Sequence, residues 1–170
     1  MQRLHFLQVS LKLSGLALML LTTSCSLFES REQMPSLLGD DQDWLLYSFG
    51  ENASGQEVLP PAGQLYGIAF QEGNRFLSVN DCNGIAGEYK SSDNGTFEVV
   101  NATTSLVGCL PGSMYLVFGE RLVGAYGYEM RQDTLILSSD IGVLVFVPVP
   151  GDKTLHQLRL EWLKERLKLE

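Results

Sequence analysis

"YGIAFQEGNRFLSV", residues Tyr66 to Val79, decides the fold class. Two short runs rich in aromatic and branched side chains, "YGIAF" and "RFLSV", flank Gln71-Glu72-Gly73-Asn74, a four-residue hairpin turn. Working outward, the arrangement recurs. "GEYKS" and "TFEVV" flank Asp93-Asn94-Gly95, the strongest turn signal in the chain. "YGYEMR" and "TLILS" flank Gln132-Asp133, "GVLVFVPV" follows a turn at Ser139-Asp140, and "WLLYSFG" (Trp44–Gly50) opens the series. Short strands at this spacing, mostly joined by tight turns, predict an antiparallel sheet curling toward a small barrel. "SMYLVFGERL" breaks the pattern, with Met114, Val117, Phe118 and Leu122 at helical spacing, Ser113 able to cap the start and Gly124 the stop. That helix is expected to plug one end of the sheet. The fold class is α+β, with a further helix at the C-terminus.

The chain's first 24 residues carry Arg3 and Lys12, no acid, and the apolar run "LSGLALMLL", which is signal-peptide length and too short to span a bilayer. "LTTSC" follows and resembles a bacterial lipobox, in which the cysteine, here Cys25, receives lipid and becomes the new first residue. It departs from that pattern at Thr22, where leucine is usual. The other reading is an ordinary secretory peptide cut near Ser24, leaving Cys25 free. Ser26 after the cysteine goes with outer-membrane sorting in lipoproteins resembling those of enteric bacteria. Lipidation implies a membrane partner through the N-terminal anchor and a bacterial envelope location, on the outer membrane facing the periplasm.

The whole chain carries a net charge of −8; without the leader, ten Lys and Arg face twenty acids, a net of −10. Such a charge argues against nucleic acid as a partner of the folded body and permits basic partners. Residues 25–43 read as lipidated N-terminus and acidic tether, residues 44–149 as one globular unit, and residues 150–170 as a separate C-terminal helix.

If Cys25 carries lipid, Cys82 and Cys109 remain as an even pair in an oxidising compartment. A bridge between them would pin the glycine-rich turn "NDCNGIAGEY" (Asn80–Tyr89), where Asn83-Gly84 and Gly87 offer the positive φ of a sharp turn. Two quiet thiols are the alternative. A nucleophile needs a base, and the only histidines are His5 in the leader and His156 in the tail. Zinc needs four ligands, and two cysteines without a CxxC pair or a nearby histidine do not supply them. Asp81 and Glu88 are expected to face solvent. No Gly-rich phosphate loop or G-x-S-x-G elbow is present, so neither catalytic residues nor cofactor are assigned.

Trp44 with Leu46, "CNGIAGEY" (Cys82–Tyr89), "SLVGC" (Ser105–Cys109), the helix around Phe118 to Leu122 and the closing "TLILSSDIGVLVFVP" occur in one order. Together they resemble the META domain, the module of HslJ-like envelope proteins, over about residues 44–148. Asp81 stands where that family usually has Gly, and the second signature, Thr-x-Met-Ala-Cys, is matched only loosely by residues 105–109. The resemblance implies a small α+β unit, often on secreted proteins or lipoproteins, linked broadly to heat-shock response, drug tolerance or motility, with no shared reaction. The function expected is a non-enzymatic binding or envelope and stress-maintenance role. Trp44, Asn83, Gly87 and Tyr89 read as fold-makers. An alternative function is a lipoprotein inhibitor of a basic enzyme such as lysozyme.

In the tail, Thr154 and Gln157 can form a capping box. Leu155, Leu158, Trp162 and Leu169 gather on one side, and Leu160, Leu163 and Leu167 on the adjoining one. Such a wide apolar arc either folds back and covers the barrel's open edge or mouth, or docks on a protein partner, a second copy or the membrane interface.

Overall fold

A computed structural model of the 170-residue chain describes residues 42–51 and 54–168, the last three by backbone alone. The leader, Cys25 and most of the tether lie outside the described residues. The elements run β1 (Asp43–Ser48), β2 (Tyr66–Gln71), β3 (Arg75–Asn80), β4 (Asn83–Ser91), β5 (Phe97–Thr104), α1 (Tyr115–Val123), β6 (Ala125–Arg131), β7 (Thr134–Ser139), β8 (Gly142–Pro148) and α2 (Leu155–Lys168). All pairings are antiparallel, and the spatial order is β5-β4-β3-β2-β1-β8-β7-β6.

The order arises from two meanders, β2 to β5 and β6 to β8, joined where β8 returns beside β1. The free edges then meet. Thr96 bridges Gly127, and the Tyr128 backbone N–H donates to the Gly95 carbonyl at 2.8 Å. The sheet is thus a nearly closed barrel, which removes most of the unpaired strand edge that would otherwise invite association. Alternate residues point inward and form one core: Trp44, Leu46, Ile68, Phe70, Phe76, Ile85, Leu135, Leu137, Leu144 and Phe146.

The predicted plug is present. Helix α1 buries Phe118 and Leu122 in the barrel, with Phe118 packed on Tyr66 and Phe146. At its far end Arg121 donates to the carbonyls of Phe49 and Val143. Gly142, at φ +129°, leaves room for that guanidinium; a Cβ there would lie 2.8 Å from its Cζ. Burial pulls the Arg121 pKa below its usual value. Ser113 does not cap the helix. The first N–H of the turn, on Met114, instead donates to the Tyr66 hydroxyl at 2.8 Å, so a residue from β2 fills a role expected of a local one.

The tail helix folds back, but onto the outer face of the sheet at β1 and β2 and not over an edge or the mouth, because the seat for Leu155 is on that face. Its capping box forms, with the Thr154 N–H donating to Gln157 Oε1 and the Gln157 N–H to Thr154 Oγ1. Leu155 is buried beside Val79 and Val149 on the outer face of the sheet, and its N–H donates to Asp43 Oδ2 at 2.6 Å. Trp162 Nε1 reaches the Gly63 carbonyl at 2.7 Å. Gly67 makes the seat, since a Cβ there would lie 2.5 Å from Leu155 Cδ1. Removing residues 153–170 is expected to lower stability by about 2–3 kcal/mol, the worth of one buried leucine. Thermal melting of the truncated chain checks this, and an unchanged midpoint would mean that the helix adds nothing to the barrel.

Candidate functional site

The signature residues divide among three places. Cys82, Asn83 and Cys109 meet at the plugged mouth. Gly87 sits midway down β4. Trp44 and Tyr89 belong to the core, where Tyr89 stacks on Phe97 at 5.5 Å and meets Phe70 edge-on at 5.0 Å. Trp44 Nε1 is buried without an acceptor among the described residues.

At the mouth, Cys82 and Cys109 are bridged. Asn83 makes a second clasp on the same loop, and its Nδ2 also donates to Cys82 Sγ at 3.3 Å and Cys109 Sγ at 3.2 Å. Its Nδ2 donates to the Val107 carbonyl at 3.1 Å, and its Oδ1 accepts from the Val107 N–H at 2.7 Å and from Ser105 Oγ at 3.2 Å. Asn80, at the end of β3, donates to the Tyr115 carbonyl at 3.3 Å and so ties the plug helix to the same hairpin. The pinned loop carries apolar side chains outward: Leu106 is 93% exposed, with Val107 and Leu110 also exposed.

The local conformation differs from the sequence reading in four respects. The turn is only Asp81-Cys82, because Asn83 already pairs with Asn80 across the hairpin. The left-handed residue is Asp81, at φ 61°, not Asn83, Gly84 or Gly87; this is the position where glycine is usual in the family resembled, and aspartate is among the few residues that tolerate it. Gly87 serves close approach instead, since a Cβ would lie 2.1 Å from the Asn101 carbonyl oxygen and 2.9 Å from Phe76 Cε1. Asp81 is also wholly buried, contrary to the expectation that it faces solvent, because the turn tucks beneath the start of α1; Glu88 is exposed as expected. Burial, more than the nearby Asp81 charge, raises the Tyr66 pKa, which keeps that hydroxyl protonated beneath the helix start.

Asp81, Cys82 and Cys109 present atoms within 4.8 Å of one another, a spacing that could hold a metal ion. The thiolate is the form that binds metal, and both sulfurs are joined in the bridge. The trio therefore works as structure.

A second feature lies on the outside of the barrel, where sequence reading assigned nothing. Pairing sets two rows of outward side chains abreast. One is Gly67, Val79 and Gly84; the next is Ala69, Leu77 and Ala86. Helix α2 covers the first row and part of the second, where Ala69 packs beside Leu155 while Leu77 stays exposed, forming a trough of about 860 Å³ between the helix and the sheet. Arg159 of α2 projects over it, with Nη1 3.5 Å from where a Gly84 Cβ would stand. Period-two alternation marks these small residues as outward-facing, but only the register aligns them.

A model of the META domain matches residues 36–150, well over half of the chain. Among solved structures, the NMR structure of a protein from Burkholderia xenovorans superposes with a TM-score of 0.54 at 21% identity, covering 67% of this chain and 86% of that one. The crystal structure of a DUF4847 family protein from Bacteroides vulgatus superposes with a TM-score of 0.51 at 15% identity, covering 69% of this chain and 99% of that one. At these identities the likeness is one of fold. No curated protein matches the chain in sequence.

Proposed function

The chain belongs to the META domain family, and on that premise we propose that it is a non-enzymatic lipoprotein of the bacterial envelope, whose barrel binds a ligand or partner in envelope or stress maintenance. The observation that carries the non-catalytic reading is how the signature's chemistry is engaged: both sulfurs are bridged and Asn83 is occupied by the loop it holds. Catalysis by a cysteine would need a free thiolate with a base beside it. The apolar leader and "LTTSC" support anchoring at Cys25, on the outer membrane facing the periplasm.

Replacing Cys25 by Ala tests the anchor. The expected result is loss of the lipid, seen as an unprocessed precursor or a soluble form on fractionation. A cleaved Cys25→Ala chain that stays with the membrane would refute lipid anchoring at that residue.

A specific observation favours a second reading, an inhibitor of a basic enzyme such as lysozyme. The loop carrying Leu106, Val107 and Leu110 is both exposed and held by two clasps, so inserting it into an enzyme cleft would involve little ordering entropy. The acidic surface suits a basic target. Stoichiometric inhibition of lysozyme that is lost with Leu106→Asp is the result that would support this reading, and full lysozyme activity at equimolar protein the result that would dismiss it.

A further inference from the structure

We propose that the trough beside α2 takes a single-chain alkyl carboxylate, a fatty acid, with its chain across Ala69, Leu77 and Ala86 and its carboxylate on Arg159. The proposal rests on the binding role argued above and names the ligand.

The floor comes from register. Ala69, Leu77 and Ala86 pair directly across β2, β3 and β4, so their side chains lie in one line on the outer face. Leu77 stands between the two alanines and is 48% exposed, an apolar side chain that its neighbours are too short to cover. The apolar part of the line spans three strands, about 10 Å at the usual spacing, and polar residues, Asp43 of β1 and Thr103 of β5, stand at its two ends. The trough's volume of about 860 Å³ falls within the range of small-ligand sites.

The head group follows from charge. Arg159 is half-buried, yet among the described residues no carboxylate lies within ion-pair distance of it. In a chain with twenty acids and a net charge of −8, such a guanidinium is placed to meet an anion from outside. Its planar fork matches one carboxylate. The acids on the rim do not fill that role: Asp43 accepts the Leu155 N–H, and Glu72 lies at the far turn, where its carbonyl accepts from Arg75 Nε.

An alkyl chain fits better than a peptide. The trough is on the face of the sheet, and β2, β3 and β4 are each paired on both sides. A peptide bound there would find methyl groups but no open strand edge to bond its backbone. An alkyl chain needs only the methyl groups.

The test uses the full chain, with methyl-resolved NMR during titration with dodecanoate below its micelle-forming concentration and dodecanol as the uncharged control. Saturable shifts are expected at the Ala69, Leu77 and Ala86 methyls. Arg159→Ala should weaken dodecanoate by about tenfold, the worth of one charge-assisted hydrogen bond, while leaving dodecanol unchanged. Leu77→Asp should abolish binding of both. Several results would overturn the proposal: shifts that miss the trough or appear only above micelle formation, undiminished dodecanoate binding by Arg159→Ala, or trough methyls already contacted by residues 34–41 and unmoved by ligand. The titration needs no anchor, so its failure leaves the fractionation result for Cys25 standing.

Discussion

Replacing Phe118 by Ala should lower the stability of the barrel by about 3–5 kcal/mol, the range for removing a fully buried phenylalanine from a packed core. Phe118 has 0% exposure and lies where the plug helix enters the barrel, packed on Tyr66 at 5.4 Å and Phe146 at 6.2 Å. The neighbours cannot easily close on the space left behind. Tyr66 is held by its hydroxyl beneath Met114, and Phe146 sits on β8 between two paired strands. The cavity therefore stays open and the loss lies toward the upper end. Leu116, two residues earlier on the same helix, is 59% exposed. Leu116→Ala should stay within about 0.5 kcal/mol of the parent, as surface substitutions generally do. Denaturant unfolding of the two variants checks both values. Equal effects would mean that α1 does not enter the barrel as described.

The bridge at the mouth is the second large contribution. Cys82 and Cys109 lie 27 residues apart in sequence, and closing a loop of that size stabilises by roughly 3–4 kcal/mol on the chain-entropy account. The double variant Cys82→Ser with Cys109→Ser should lose about that much. The loop itself should stay in place, because Asn83 bonds the Val107 N–H and carbonyl directly, in addition to the contacts of its Nδ2 with the two sulfurs. Asn83→Ala alone is expected to lose about 2–3 kcal/mol, since the clasp counts two backbone bonds and one from Ser105. Bridge and clasp act on one segment, so their effects should not add. A triple variant therefore distinguishes two clasps on one loop from two unrelated contacts. In the parent chain, non-reducing mass spectrometry should find Cys82 and Cys109 both closed to alkylation. Two freely alkylated cysteines would remove the basis of the whole cycle.

Much of this architecture is legible along the chain. The hairpins around Gly73-Asn74 and Asn94-Gly95 fall where turn residues stand between apolar runs, and Gly73, Asn74 and Gly95 all take positive φ there. The capping box at Thr154 and Gln157 and the span of α1 are local in the same sense, since bonding partners three or four residues apart are visible in sequence. The cysteine pair is legible in part: an expected oxidising compartment and the lack of histidine in residues 44–149 leave a bridge or two quiet thiols, and the structure shows the bridge. Where the readings fell short, the deciding neighbour is far away in sequence. Ser113 looks like the cap of α1, yet the Tyr66 hydroxyl, 48 residues upstream of Met114, takes that place. Gly87 looks like a turn glycine, and its reason is instead the Asn101 carbonyl on the next strand. Asp81 looks like a surface acid until α1 is laid over its turn.

Periodicity by itself determined which strands form and which side chains share a face, because that follows from backbone geometry within a few residues. It also supplied the tail's wide apolar arc while leaving the surface it meets undecided. Only the tertiary structure placed Leu155 on Gly67 and set Ala69, Leu77 and Ala86 in one line beside Arg159. The physical reason is register: alternation says that a side chain points outward, and only pairing between strands says what stands beside it.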